Sequence, residues 1–147
     1  MMTEATEKRR DRAAARRGGY GGAIVINGAL LYAVNVWPGW QVLPFLTDDL
    51  QQLLPLVNLS LIVGMFTNAV YLIVDLPRVK AVGDLVTFGI GMAILVSLWR
   101  VFPFAFPIGF DSNFVVRILI VLSMVGCGIG IIVQLMILVT GRAVPRR

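Results

Sequence analysis

Asp75, Arg78, Lys80 and Asp84 stand together in "VDLPRVKAVGD", the densest group of ionisable side chains between the two basic ends of the chain. Two carboxylates are hard oxygen ligands for a divalent cation, and two cations suit phosphate. A metal-assisted enzyme acting on lipid phosphates needs a tighter cluster of carboxylates than this one. The rest of the chemistry is narrow. There is no histidine, and the single Cys127 has no partner for an internal disulfide. The commonest metal and haem ligands, the usual proton shuttle and every His-activated nucleophile are therefore missing. No metal, no cofactor and no catalysis are expected.

A second set of polar residues lies where the surroundings are apolar. In "NLSLIVGMFTNAVYLIVDLPR", residues 58 to 78, positions 58, 61, 65, 68, 72 and 75 read Asn, Leu, Met, Asn, Leu and Asp. That spacing places Asn58, Asn68 and Asp75 on one helix face. Tyr20, Asn27, Leu31 and Asn35 share a face in the preceding apolar segment. Amides facing lipid would go without hydrogen-bond partners, so both stripes are expected to turn inward, where they set helix register or line a polar path. Asp75 is expected near the membrane edge, within reach of Arg78, Lys80 or headgroup water.

These stripes need a frame of helices, and composition supplies it. The chain has 147 residues and is 58% hydrophobic, above the roughly 45 to 50% of soluble domains. A spanning helix needs about 20 mostly apolar residues, and four segments qualify, at about 20–37, 53–74, 85–102 and 113–139. Pro38, Gly39 and Pro44 in "NVWPGWQVLPFL" end the first. The expected fold is all-α: a four-helix transmembrane bundle, up-down-up-down, spanning 20–141. Tail residues 1–19 and 142–147 flank it.

Charge orients the bundle. Lys8, Arg9, Arg10, Arg12, Arg16 and Arg17 precede the first span, Arg78 and Lys80 lie between the second and third, and Arg142, Arg146 and Arg147 follow the fourth. Only Arg100 and Arg117 remain for the other side. The positive-inside rule then puts both termini and a loop at 76–84 in the cytoplasm of a multi-pass protein of the cell inner membrane. Residues 4 to 17 favour a short basic surface helix, with Gly18, Gly19, Gly21 and Gly22 as a flexible joint. Anionic lipid on the cytoplasmic face is the expected partner of the tail, Arg78 and Lys80. Nucleic acid is not, because the tail lacks interleaved aromatic residues.

On the opposite face, Trp37, Trp40, Phe45, Phe102, Phe104 and Phe106 have the composition of an interfacial aromatic belt or of a pocket mouth. Thr47 and Asp111 or Ser112 carry helix-start signals, and Arg100 and Arg117 are expected to pair with Asp111 along the rim. Small residues four apart, Gly126 and Gly130, Gly89 and Ala93, Ala29 and Ala33, allow close helix approach. Spans one and three align at an offset of 65, spans two and four at 63, as two copies of a hairpin would.

The expected function is that of a small non-catalytic membrane protein, a scaffold, accessory or regulatory subunit working through helix packing, as a homo-oligomer or with other membrane subunits. A small oligomeric channel or transporter is the first alternative. A lipid-binding protein is the second.

Overall fold

The computed structural model describes residues 2–106 and 111–141. Arg142, Arg146 and Arg147 lie outside them. The chain is all-helical among the described residues, with four helices: α1 Met2–Asn35, α2 Leu54–Ile73, α3 Pro77–Val101 and α4 Ser112–Thr140. Two short 3-10 turns, Trp40–Val42 and Asp48–Gln52, lie between α1 and α2. The helices α2, α3 and α4 are each long and apolar enough to cross a membrane.

Prolines and glycines set the boundaries. Pro38 disfavours helical backbone at Trp37, and Gly39 turns the chain with φ +85. Pro77 starts α3 directly after an extended Val74–Leu76 link. Its missing N–H costs nothing in a first turn, and its fixed φ suits a helix. Residues 77–84 are therefore helix, not the expected loop, and Asp84 lies two turns inside α3. At the far end of α3, Phe102 takes the left-handed conformation with φ 45 and Pro103 follows, while Gly141 closes α4 with φ 64, the usual ways to stop a helix.

α1 is one continuous helix of 34 residues. The expected glycine joint is helical, and a Cβ added at Gly18, Gly19, Gly21 or Gly22 would meet nothing within 4 Å. These positions carry the helix without packing against anything.

Contacts between α1 and α2 fall in reverse order along the two helices: Asn35 with Asn58, Gly28 with Met65, Tyr20 with Tyr71 and Arg16 with Asp75. The same holds for α3 and α4, where Trp99 meets Arg117, Gly91 meets Cys127, Phe88 meets Gly130, Arg78 meets Gly141 and Asp84 meets Gln134. The fold is thus two antiparallel hairpins joined along α2 and α3. Helix packing is serial, α1 on α2, α2 on α3 and α3 on α4, and α1 and α4 share no comparable interface among the described residues. That is more open than a closed bundle.

At the loop end the hairpins are tied by backbone. Thr47 N–H donates to the Pro103 carbonyl at 3.0 Å, Ala105 N–H to the Phe45 carbonyl at 2.9 Å, and Leu46 and Phe104 form an antiparallel bridge. Large apolar side chains such as Phe66, Ile73, Leu122 and Val139 point outward, as they do on helices solvated by lipid.

Candidate functional site

At the tail end, all four helices contribute a polar side chain to one cluster. α1 brings Tyr20, α2 Tyr71, α3 Lys80 and Asp84, and α4 Gln134. Tyr71 is buried, its ring edge-on to Tyr20 with centroids 5.6 Å apart. The Tyr71 hydroxyl lies 2.9 Å from Asp84 Oδ1 and 3.0 Å from the Lys80 carbonyl. It has one hydrogen to give. The Lys80 carbonyl is also the acceptor of Asp84 N–H in the ladder of α3, so the carboxylate is the partner that depends on Tyr71.

Gln134 Nε2 donates to the other oxygen, Asp84 Oδ2, at 3.1 Å. Asp84 thereby links α2 to α4. Lys80 Nζ donates to the Tyr20 hydroxyl at 2.5 Å and sits 4.9 Å from the Tyr20 ring centroid and 5.7 Å from that of Tyr71. An ammonium within about 6 Å of a ring face is held by the ring quadrupole. Lys80 and Asp84 are one turn apart on α3, which aims both into the cluster. Gly83 makes room: a Cβ there would collide with the Tyr71 hydroxyl and ring.

Asp75 is exposed and pairs with Arg16 of α1 at 3.4 Å, not with Arg78 or Lys80, because helical backbone from Pro77 onward carries those two away along α3. Arg78 reaches Gly141 at the end of α4, where carbonyl dipoles favour a cation. Lys8, Arg9, Arg10, Arg12 and Arg17 are exposed along α1. Arg16 with Asp75 is the only ion pair among the described residues.

The Asn stripe divides into three kinds. Asn35 and Asn58 exchange both hydrogen bonds across α1 and α2, at 2.8 and 2.9 Å. Asn27 packs against buried Gly64, its Nδ2 2.8 Å from where a Cβ would sit. Asn68 donates to the Gly64 carbonyl of its own helix at 2.7 Å, so it holds no neighbour directly. Among the described residues no buried side-chain polar atom lacks a partner.

The loop-end residues form a separate group. Phe45 stacks on Phe106 at 5.8 Å and Phe106 on Phe104 at 6.0 Å, and Phe104 meets Phe102 edge-on at 5.5 Å. Trp40 is buried while Trp37 is 73% exposed, so the two tryptophans of this loop are placed differently. Thr47 begins the second 3-10 turn without a side-chain cap bond, as Asp111 begins α4. The expected rim ion pair is replaced: Arg117 lies over the rings of Trp99 and Phe102, at 4.9 and 4.5 Å, and pairs with no carboxylate among the described residues. Asp111 caps the start of α4 with non-helical backbone, six residues and more than one turn before Arg117. Arg100 is exposed in the last turn of α3.

Of the small residues, Gly130 and Gly91 do the close packing. Phe88 sits over Gly130, and Cys127 Sγ lies 3.7 Å from where a Gly91 Cβ would be; Gly89 and Gly126 face open space. The Gly126 and Gly130 pair therefore does not share one interface.

Tyr71 and Gln134 are the site residues that sequence reasoning missed. Gln134 is the one amide in the uncharged run from Ile118 to Gly141, a lone polar position of the kind that marks a buried contact in a span but that carries no period. Comparison with protein-family models finds no match to this chain, and comparisons with curated proteins and with solved structures find none either.

Proposed function

We propose that this chain is a non-catalytic membrane subunit, a scaffold, accessory or regulatory protein that works by holding helices, its own and those of partners, in fixed register. The convergence of all four helices on Asp84, Tyr71, Gln134, Lys80 and Tyr20 carries the reading. Donors and acceptors there are engaged with one another, which is the arrangement of a fastening. The four helices cross up-down-up-down as a bundle in the cell membrane, with both termini cytoplasmic. Residues 20–35 of α1 run beside α2, itself long and apolar enough to span, and the basic bias supports this orientation. The basic face of α1 meets anionic lipid or a partner there.

Mass measurement of the intact assembly in mild detergent tests the proposal. A stable complex, of several copies or with other membrane subunits, is expected, weakened by Asp84→Leu with membrane insertion intact. Cysteine labelling from either side should place residue 5 and residue 41 on opposite faces. A monomer with no partner would contradict the subunit role.

One observation favours a channel or transporter instead. Asp84 is an ionisable group two turns inside a candidate span, and such groups mark transport routes. Flux in proteoliposomes that vanishes in Asp84→Asn while the assembly survives would support that reading over the first.

A further inference from the structure

We propose that the groove between the end of α3 and the first half of α4 binds one anionic phospholipid, its phosphate on Arg117 and an acyl chain along the wall below. The groove measures about 300 Å³ and is lined by Trp99, Phe114, Arg117, Ile118, Val121 and Leu122. Every lining residue except Arg117 is apolar or aromatic.

Arg117 is the reason for the choice of ligand. Its guanidinium carbon lies over the rings of Trp99 and Phe102, contacts with ring faces that supply no oxygen acceptor for its N–H groups. No described carboxylate pairs with it and no described acceptor receives its N–H groups, the one ion pair being Arg16 with Asp75. A planar fork of donors with an unmatched charge fits a phosphate in bidentate fashion, better than an ammonium would.

The position selects lipid among phosphate-bearing ligands. From Arg117 to Leu122 the groove descends about 7.5 Å along α4, from the level of the aromatic residues into the apolar part of a candidate span. A molecule with an anionic head and a hydrocarbon tail satisfies both ends. A second apolar cavity at this end, about 330 Å³ between α1, the 3-10 turns and α2, is lined by no charged residue and has nothing to select a headgroup. The proposal is independent of the packing role and of which face of the membrane holds the loops; it needs only α3 and α4 as spans.

Native mass spectrometry of the full chain in detergent, titrated with phosphatidylglycerol and separately with phosphatidylcholine, tests it. One phosphatidylglycerol should bind more tightly than phosphatidylcholine. Arg117→Gln should weaken phosphatidylglycerol about fivefold, the effect of one cation near an anionic headgroup, and phosphatidylcholine less, because its choline cation offsets the charge of the same phosphate. Arg117→Lys, which keeps the charge and loses the fork, should lose part of the preference, less than Arg117→Gln does. Val121→Trp, which fills the groove without touching the charge, should weaken both lipids, and Arg100→Gln, which removes a neighbouring exposed charge, should weaken neither. Equal binding of the two lipids, unchanged phosphatidylglycerol affinity in Arg117→Gln and Val121→Trp, or competition by glycerol phosphate as strong as by the whole lipid would each overturn the proposal. So would an Arg117→Gln variant that keeps its lipid and loses a bound protein.

Discussion

The two hairpins have the same course and are held by different chemistry. α1 and α2 meet through amides: the reciprocal Asn35 and Asn58 bonds and Asn27 against Gly64. At mid-helix α3 and α4 meet through shape, with the Phe88 ring over Gly130 and Cys127 against Gly91, and their amide bond, Gln134 to Asp84, lies toward the tail end. An amide pair sets register but contributes little energy in lipid, whereas a ring over a glycine gains close dispersion contact and tolerates no added volume. The first hairpin should thus be sensitive in register and the second in stability.

The largest expected effect breaks the second hairpin. Gly130→Ala places a methyl within 2.7 to 2.9 Å of the Phe88 ring, and overpacking of this kind costs about 1 to 3 kcal/mol. Gly126→Ala on the open side of the same helix should cost nothing. Unfolding in mixed micelles followed by circular dichroism distinguishes them, and equal midpoints for the two variants would refute the α3 to α4 register.

Next comes the link between the hairpins. Asp84→Leu removes the acceptor for both Tyr71 and Gln134, for which about 1 to 2 kcal/mol is expected from interhelical bonds in membranes. The double variant with Gln134→Leu should cost less than the sum of the single changes; strict additivity in that cycle would mean the two groups do not interact.

Smaller still is Asn58→Leu, at about 0.6 kcal/mol, with the Asn35 amide left facing an apolar neighbour. Its mark should be a shift in α1 to α2 cross-linking positions more than a fall in the unfolding midpoint. Least of all, Gly19→Ala should increase helix content by favouring helical backbone at a site with open space around it, by up to about 1 kcal/mol locally, and leave the midpoint of the apolar helices where it was.

What the sequence made legible follows from repetition. Uncharged runs mark the helices, and the 3.5-residue spacing of Asn58, Asn68 and Asp75 brought Asn35 and Asn58 together on physical grounds. A single residue carries no period, so Tyr71 and Gln134 passed unnoticed within apolar runs. Charge misled at α3: Arg78, Lys80 and Asp84 suggest a loop, although a helix that begins at Pro77 can hold them in its first two turns before the apolar part starts. The Arg117 rim pair failed for a related reason. Nearness in sequence is not nearness on a helix, and two aromatic rings compete well for a guanidinium.

The central claim is that the amides of α1 and α2 face each other instead of lipid. Introducing Asn35→Cys with Asn58→Cys in a Cys127→Ser background, and treating the protein in membranes with a short bifunctional thiol reagent, tests it most directly. The account predicts rapid cross-linking within one chain for this pair and little for Asn35→Cys with Leu59→Cys, whose second position is next to Asn58 in sequence but about 100° around α2 and 46% exposed. Equal cross-linking of the two pairs, or none for the first, would contradict it.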